Sequence, residues 1–161
     1  MVLRHGKALR GPEYPDDRSR PLAPRGSKAA RAIGKLLRED GPVPELVVTS
    51  PALRAVETTS LLVAELGDTP VQQEPDVYAA SPEELLHVIV NLPGDVTRVL
   101  LVGHNPGLEE LVAELTGRTE VLLKTCSLAL IKLHGDSWKQ AVAKRGNLQD
   151  VINPRELEEP A

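Results

Sequence analysis

Short continuous apolar runs alternate along this chain with longer stretches in which apolar residues recur every three or four positions. The first kind reads as buried strand and the second as amphipathic helix. Leu46 to Thr49 and Arg98 to Val102 are clear strand runs, and Val71 to Gln73 is a weaker one. Met1 to Arg4 is unusually short for a strand, which implies either a residue or two upstream or a frayed strand. Helical spacing runs from Pro24 to Glu39, with Pro24 in the first turn and Ile33, Leu36 and Leu37 on the apolar face. Ser50-Pro51 starts a second helix reaching about Leu66, with Ser50 as N-cap and Pro51 in the first turn. Ser81-Pro82-Glu83-Glu84 caps a third through about Asn91. Asn105-Pro106 opens a fourth, with Leu108, Leu111, Val112 and Leu115 apolar. Leu128 to Leu133 and Lys139 to Ala143 are expected to pair as a late antiparallel element through a turn at Gly135-Asp136.

Between these segments, Lys7 to Leu22 is dense in breakers (Gly11, Pro12, Pro15, Pro21). It reads as a long loop of the kind that is usually functional. Residues 154–161, rich in Glu and Pro, are expected to be a loose tail behind a single domain over residues 1–153. Strands alternating with helices predict an α/β fold, a three-layer α/β/α sandwich.

Composition narrows the function. The 161 residues contain no Phe, one Trp and two Tyr, so the core must be aliphatic and a stacking surface for single-stranded nucleic acid is missing. A formal net charge of −4 argues against nonspecific nucleic-acid binding but leaves room for a small anion in a locally basic pocket. The single cysteine, Cys126, cannot form an internal disulfide, and it lies in an apolar run where a buried, inert thiol is expected. Four scattered histidines have no metal-ligand spacing, so neither metal nor cofactor is expected. No stretch has the pattern of a signal peptide or membrane anchor, which makes the cytoplasm the expected compartment and excludes a membrane partner.

Three strand tips carry residues suited to phosphate. Met1 to Arg4 stops at Arg4-His5-Gly6, a guanidinium and an imidazole followed by a residue with no side chain, which suits a nucleophile that must approach a phosphoryl group closely. The run ending at Ser50-Pro51 leads to Arg54 in a first helical turn, where backbone N–H groups also favour an anion. Glu57, three residues on, lies on the same face and can pair with Arg54. The run ending at Gly103 leads to His104. In parallel sheets ligands sit beyond the carboxyl ends of the strands, so these tips are expected to converge.

With these residues the chain resembles the histidine phosphatase superfamily, with its phosphoglycerate mutase-like fold, and within it the SixA-like phosphohistidine phosphatases. The resemblance covers nearly the whole chain. It rests on Leu3-Arg4-His5-Gly6, on Arg20-Pro21-Leu22 followed by Arg25-Gly26, on Ser50-Pro51-Ala52-Leu53-Arg54-Ala55 with Thr58, and on the run Val102-Gly103-His104-Asn105-Pro106-Gly107 continuing to Leu111. It implies a mostly parallel mixed sheet with one antiparallel strand. It also implies that His5 attacks phosphorus and is transiently phosphorylated, and that Arg4 and Arg54 bind the nonbridging oxygens. His104 becomes a second phosphate-binding imidazole, protonated when phosphate is present, and Arg20 a fourth cationic contact. Gly6 and Asn105 can supply backbone N–H groups. His87 and His134 are expected to be structural.

The departure from the family is an absence. Superfamily mutases and phosphomonoesterases carry a general-acid Glu after the third strand, and the nearest alignment here, Val77-Tyr78-Ala79, puts Ala79 at that position. An alkoxide leaving group depends on such an acid, whereas a phosphoramidate nitrogen can take its proton from solvent. The segment from Val77 to Asn91 also has no room for a lid. The expected activity is therefore hydrolysis of phosphohistidine on a protein, such as a phosphotransfer domain. One rival is a phosphatase of a small phosphate ester or sugar phosphate using Asp16, Asp17 or Glu57 as acid. Another is a noncatalytic phosphoprotein-binding module, which would have no need of a nucleophilic histidine.

Overall fold

The computed structural model describes residues 1–158. In chain order the elements are β1 (Val2–Arg4), α1 (Pro24–Asp40), β2 (Leu46–Thr49), α2 (Leu53–Leu66), β3 (Val71–Gln73), α3 (Pro82–Val90), β4 (Val99–Gly103), α4 (Gly107–Thr116), β5 (Leu128–Leu133), α5 (Trp138–Lys144), β6 (Gly146–Ile152) and α6 (Pro154–Glu158). One six-stranded sheet runs in the order β3-β2-β4-β1-β5-β6. The pairs β1/β4, β2/β4 and β2/β3 are parallel, while β5 is antiparallel to both β1 and β6. The mixed sheet with one reversed strand is as expected. Among the described residues no helix is long and apolar enough to cross a membrane.

Strands β2 and β4 are continuous buried runs because both faces of the sheet are covered there. Successive side chains point to opposite faces, and the core divides accordingly. Leu3, Val47, Leu100, Val102 and Leu128 pack with Ala30, Ile33 and Leu37 of α1 and Ala55 and Leu62 of α2. Val2, Val48, Leu101 and Ala129 pack with Leu85 and Ile89 of α3 and with Leu108, Leu111 and Leu115 of α4. β1 is only three residues long, but it is no frayed edge: it is paired on both sides, with Leu3 opposite Val102 and Leu128.

The structure corrects four local expectations. Lys139 to Ala143 is not a strand. Trp138, Ala141 and Val142 recur at helical spacing in α5, where Ser137 accepts from the Gln140 N–H as its cap and the Trp138 indole N–H donates to the carbonyls of Pro93 and Val96. The partner of β5 is β6, which shifts register between Leu130 and Ile131, so its alternation is broken in the sequence. Helix α2 starts at Leu53 behind Ala52, because the Ser50 hydroxyl accepts from the Ala52 N–H and faces His104. Likewise Pro106 precedes α4 instead of opening it. Finally, residues 154–158 of the expected loose tail form α6, packed against α1 with Pro154 buried; residues 159–161 lie outside the described residues. Helix α3 carries the expected capping box between Ser81 and Glu84.

The long loop after β1 is tied down at both ends. Leu9 N–H donates to Pro21 O and Ala23 N–H to Lys7 O, and residues 17–19 form a 3-10 turn. Its base lies against the first turn of α1 so closely that a Cβ on Gly26 would come within 2.2 Å of the Lys7 carbonyl, and one on Gly6 within 2.9 Å of the Gly26 carbonyl. Only residues without side chains permit this approach.

Candidate active site

The carboxyl ends of β1, β2 and β4 lie side by side, since these strands are parallel neighbours. The His5 N–H donates to Gly103 O and the Ser50 N–H to Val102 O, which fixes the three tips to one another. His5, Arg54 and His104 meet there as expected.

His5 is 8% exposed and has both ring nitrogens engaged. Arg54 Nε can only donate, and it lies 3.3 Å from His5 Nε2. Nε2 therefore carries the lone pair, and Nδ1–H donates to the Gly6 carbonyl at 2.8 Å. Burial, with the charges of Arg54 and Arg4 nearby, pushes the His5 pKa down to about 3. The same logic applies to His104. Arg54 Nη2 donates to its Nδ1 at 3.3 Å, so Nε2–H donates to Ser50 Oγ at 2.7 Å. Burial and then Arg54 push this ring down to about 4. The two rings lie 5.1 Å apart. Both are neutral at neutral pH, with an unprotonated nitrogen of each facing Arg54.

Arg54 is the second residue of α2, buried beneath the cluster. It is oriented from behind by Thr58, whose hydroxyl donates to Arg54 O at 2.7 Å and accepts from the Gly6 N–H at 3.0 Å. That bond corrects one expectation, because the Gly6 N–H faces Thr58 and not the pocket. Arg54 Nη1 and Nη2 both donate to Asp17, to its backbone carbonyl at 2.7 Å and its Oδ2 at 2.9 Å. Asp17 also accepts from the Tyr78 hydroxyl at 2.6 Å and from Arg20 Nη1 at 2.9 Å. These donors, Tyr78 first, hold its carboxyl well below the usual carboxylate range.

Arg4, whose charge acts on both imidazoles, shares an anchor with Asn105. Arg4 Nη1 and Asn105 Nδ2 both donate to the Leu123 carbonyl, at 3.0 and 2.9 Å. Arg4 Nε and Asn105 Oδ1 are buried without a hydrogen-bond partner. An unpaired guanidinium N–H in such a place is a ready donor to an oxyanion. Arg20 reaches the cluster only through Asp17, its Nε donating to Leu9 O.

The other residues considered as acids stand apart. Glu57 does not pair with Arg54; its Oε1 accepts from the Leu22 N–H at 2.8 Å and anchors the end of the long loop. Asp16 is exposed and caps the 3-10 turn through Arg18 N–H and Ser19 Oγ. Ala79 is exposed, with φ 52°. His87 and His134 are exposed. Cys126 is buried, which pushes its thiol up to about 12 and keeps it unreactive. A cavity of about 570 Å³ lies elsewhere, between the sheet and α3 and α5, with Leu92, Val96 and Trp138 in its walls and none of the site residues.

Sequence reasoning missed Ser50 as the partner of His104 and Tyr78 as the partner of Asp17. Tyr78 also meets His104 edge-on at 5.5 Å and carries the Arg18 guanidinium 4.4 Å above its ring. In a chain with no Phe and two Tyr, an aromatic beside the position of the absent acid was the available signal.

A basic, partly buried cluster with an unprotonated imidazole nitrogen and forked guanidinium donors can bind a phosphoryl group and attack it. The relatives agree. The family described as histidine phosphatase superfamily (branch 1) matches residues 1–78. An uncharacterized protein of Mycobacterium leprae is 35% identical over 165 residues, covering 95% of this chain and 100% of that protein. The solved structure of the protein histidine phosphatase SixA complexed with tungstate superposes with a TM-score of 0.84 at 25% identity, over 98% of this chain and 97% of that one. A protein assigned as a phosphohistidine phosphatase SixA from Nakamurella multipartitia gives 0.83 at 25% identity, over 95% of each chain. The chain thus belongs to the histidine phosphatase superfamily as a SixA-like phosphatase with the phosphoglycerate mutase-like fold.

Proposed function

We propose that this phosphatase hydrolyses phosphohistidine on proteins through a phospho-His5 intermediate, without a metal. The observation that supports the substrate class is the state of the carboxyl groups. Ala79 stands where the family places its acid, and Asp17, which does contact the cluster, accepts hydrogen bonds from Arg54, Arg20 and Tyr78. An ionised acceptor has no proton to give a leaving alkoxide. General-acid help is worth ~10²- to 10⁴-fold, so alkyl esters lose most by its absence.

In the reaction, His5 Nε2 attacks phosphorus as the P–N bond to the substrate imidazole breaks, and the departing nitrogen takes a proton from solvent. Water then attacks phospho-His5, releasing inorganic phosphate and restoring the free base. Arg4 and Arg54 hold the nonbridging oxygens, and Arg54 exchanges its bonds to Asp17 and the imidazoles for bonds to phosphate. The incoming dianion offsets the charges that keep His104 neutral, so His104 takes up a proton and donates to it. The Gly6 carbonyl keeps Nδ1 of His5 protonated throughout, aiming Nε2 outward. A protein substrate fits because α3 follows Tyr78 after three residues, leaving the mouth open.

The test is kcat/KM on a phosphohistidine peptide, p-nitrophenyl phosphate and an alkyl phosphate, with radiolabelled phosphate sought on the enzyme at alkaline pH, where phosphohistidine survives. Preference for the peptide and label on His5 are expected. Equal cleavage of the alkyl phosphate would reject the substrate class, and absence of label in a pre-steady-state burst would reject the intermediate.

A further inference from the structure

Asp17 occupies the seat that phosphate must take. Arg54 Nη2 donates to the Asp17 carboxylate at 2.9 Å, a distance that a charge-assisted bond to a phosphate oxygen also takes, while Nη1 donates to the Asp17 backbone carbonyl at 2.7 Å. Arg54 cannot retreat, because its side chain is 7% exposed and its backbone is held by Thr58, whereas the Asp17 side chain is 49% exposed. An arriving oxyanion therefore takes Nη2 of Arg54 from the Asp17 carboxylate, while the backbone carbonyl on Nη1 stays with its turn. The carboxylate does not go far, since Arg20 holds Oδ1 and Tyr78 holds Oδ2 from outside the phosphate seat. A phosphoryl dianion and a carboxylate are then neighbours on one guanidinium.

What comes between them is set by the direction of the reaction. His5 is the floor of the site, and in-line displacement sends the leaving group away from it, toward the mouth where Asp17, Tyr78 and Arg18 stand. A leaving group with an N–H or a positive charge bridges the two anions. An alkoxide offers neither, and an acidic leaving group adds a third anion.

The geometry points to Asp17 as the leaving-group selector of this site: a tethered carboxylate that competes with phosphate for Arg54 and admits best those phosphoryl compounds whose leaving group presents an N–H or positive charge to it. The Tyr78 ring, covered by Arg18 at 4.4 Å, is a flat wall beside that position for a planar ring. This inference rests on the phosphohistidine reading for its substrate, but its binding half stands apart from it. Asp17 here is the reverse of a general acid, since it accepts from the leaving group and gives nothing to it.

Asp17→Asn keeps the shape and removes the charge. Two measurements test it, with Asp17→Ala as a second variant and thermal melting to verify folding. The first is the affinity for tungstate and for inorganic phosphate by calorimetry, which should tighten about tenfold or more when the like charge is removed. The second is kcat/KM for N-phosphoimidazole relative to p-nitrophenyl phosphate, which should fall about tenfold or more, with kcat and KM resolved separately. Unchanged or weaker oxyanion binding in both variants would overturn the competition. Tighter oxyanion binding with an unchanged substrate ratio would overturn the selection. If the unmodified enzyme already shows no preference for N-phosphoimidazole, the phosphohistidine reading fails, and the tungstate affinities still decide whether Asp17 competes for Arg54.

Discussion

Acid is the perturbation that tests the site most directly. A histidine ordinarily titrates near 6.5, while His5 is held at about 3 and His104 at about 4. At pH 5 an ordinary imidazole is only about 3% free base, whereas a ring with the His5 value is about 99% free base. Phosphoenzyme formation should therefore persist at pH 5 instead of falling by the roughly 25-fold expected of an unshifted nucleophile. The stability consequence has the opposite sense. Above pH 6.5 both rings are neutral in the folded and unfolded states and contribute no pH dependence. Below 6.5 the unfolded chain binds protons that the folded chain refuses, so stability falls by about 1.4 kcal/mol per pH unit for each ring. The His104 loss stops growing below about 4 and the His5 loss below about 3. Between pH 6.5 and 4.5 the pair costs about 5 kcal/mol, comparable with the whole stability of a marginal domain. Urea denaturation across that range, on the parent and on His5→Asn, is the assay. The variant should lose about 1.4 kcal/mol per unit of the slope. Equal slopes, or a His5 ring resonance that titrates near 6.5, would refute the burial argument.

Three further outcomes are expected. His5→Ala should abolish turnover while tungstate still binds, because Arg4, Arg54 and His104 remain; near-normal turnover would sink the mechanism. Arg54→Lys keeps the charge and loses the fork, so kcat should fall by roughly 10²-fold, and a rise in KM alone would reduce Arg54 to a steering charge. Gly26→Ala places a Cβ within 2.2 Å of the Lys7 carbonyl, which should destabilise the fold by about 1–3 kcal/mol and lower activity by shifting the loop that carries Asp17; an unchanged melting temperature would contradict the close packing.

Most of the scaffold could be read from local pattern because its information is local. The runs at Leu46 and Val99 are apolar on both faces, and the Ser81 cap and Glu84 lie three residues apart. Where a residue's partner lies far along the chain, the reading failed. Ser50 has the composition of a helix cap, but its hydroxyl pairs with His104, 54 residues away. In the rival reading Asp17 is one of three possible acids by residue type alone, and its state is set by Arg54 and Tyr78, 37 and 61 residues away. Lys139 to Ala143 is short enough to fit either period, and the contact that decides it, Trp138 on the Pro93 and Val96 carbonyls, is again distant. The convergence of His5, Arg54 and His104 was legible because strand tips in a parallel sheet have no freedom to diverge.

The three residues of β1 have a consequence for precision. Val2 and Leu3 feed different cores, so a slip of one residue would drive each into the wrong layer and carry the His5 ring out of reach of Arg54. The aim of a catalytic nitrogen is thus inherited from a two-letter greasy code that never touches substrate. A trimmed methyl group at Leu3 is felt in the core that holds this register as well as in the aim of the ring.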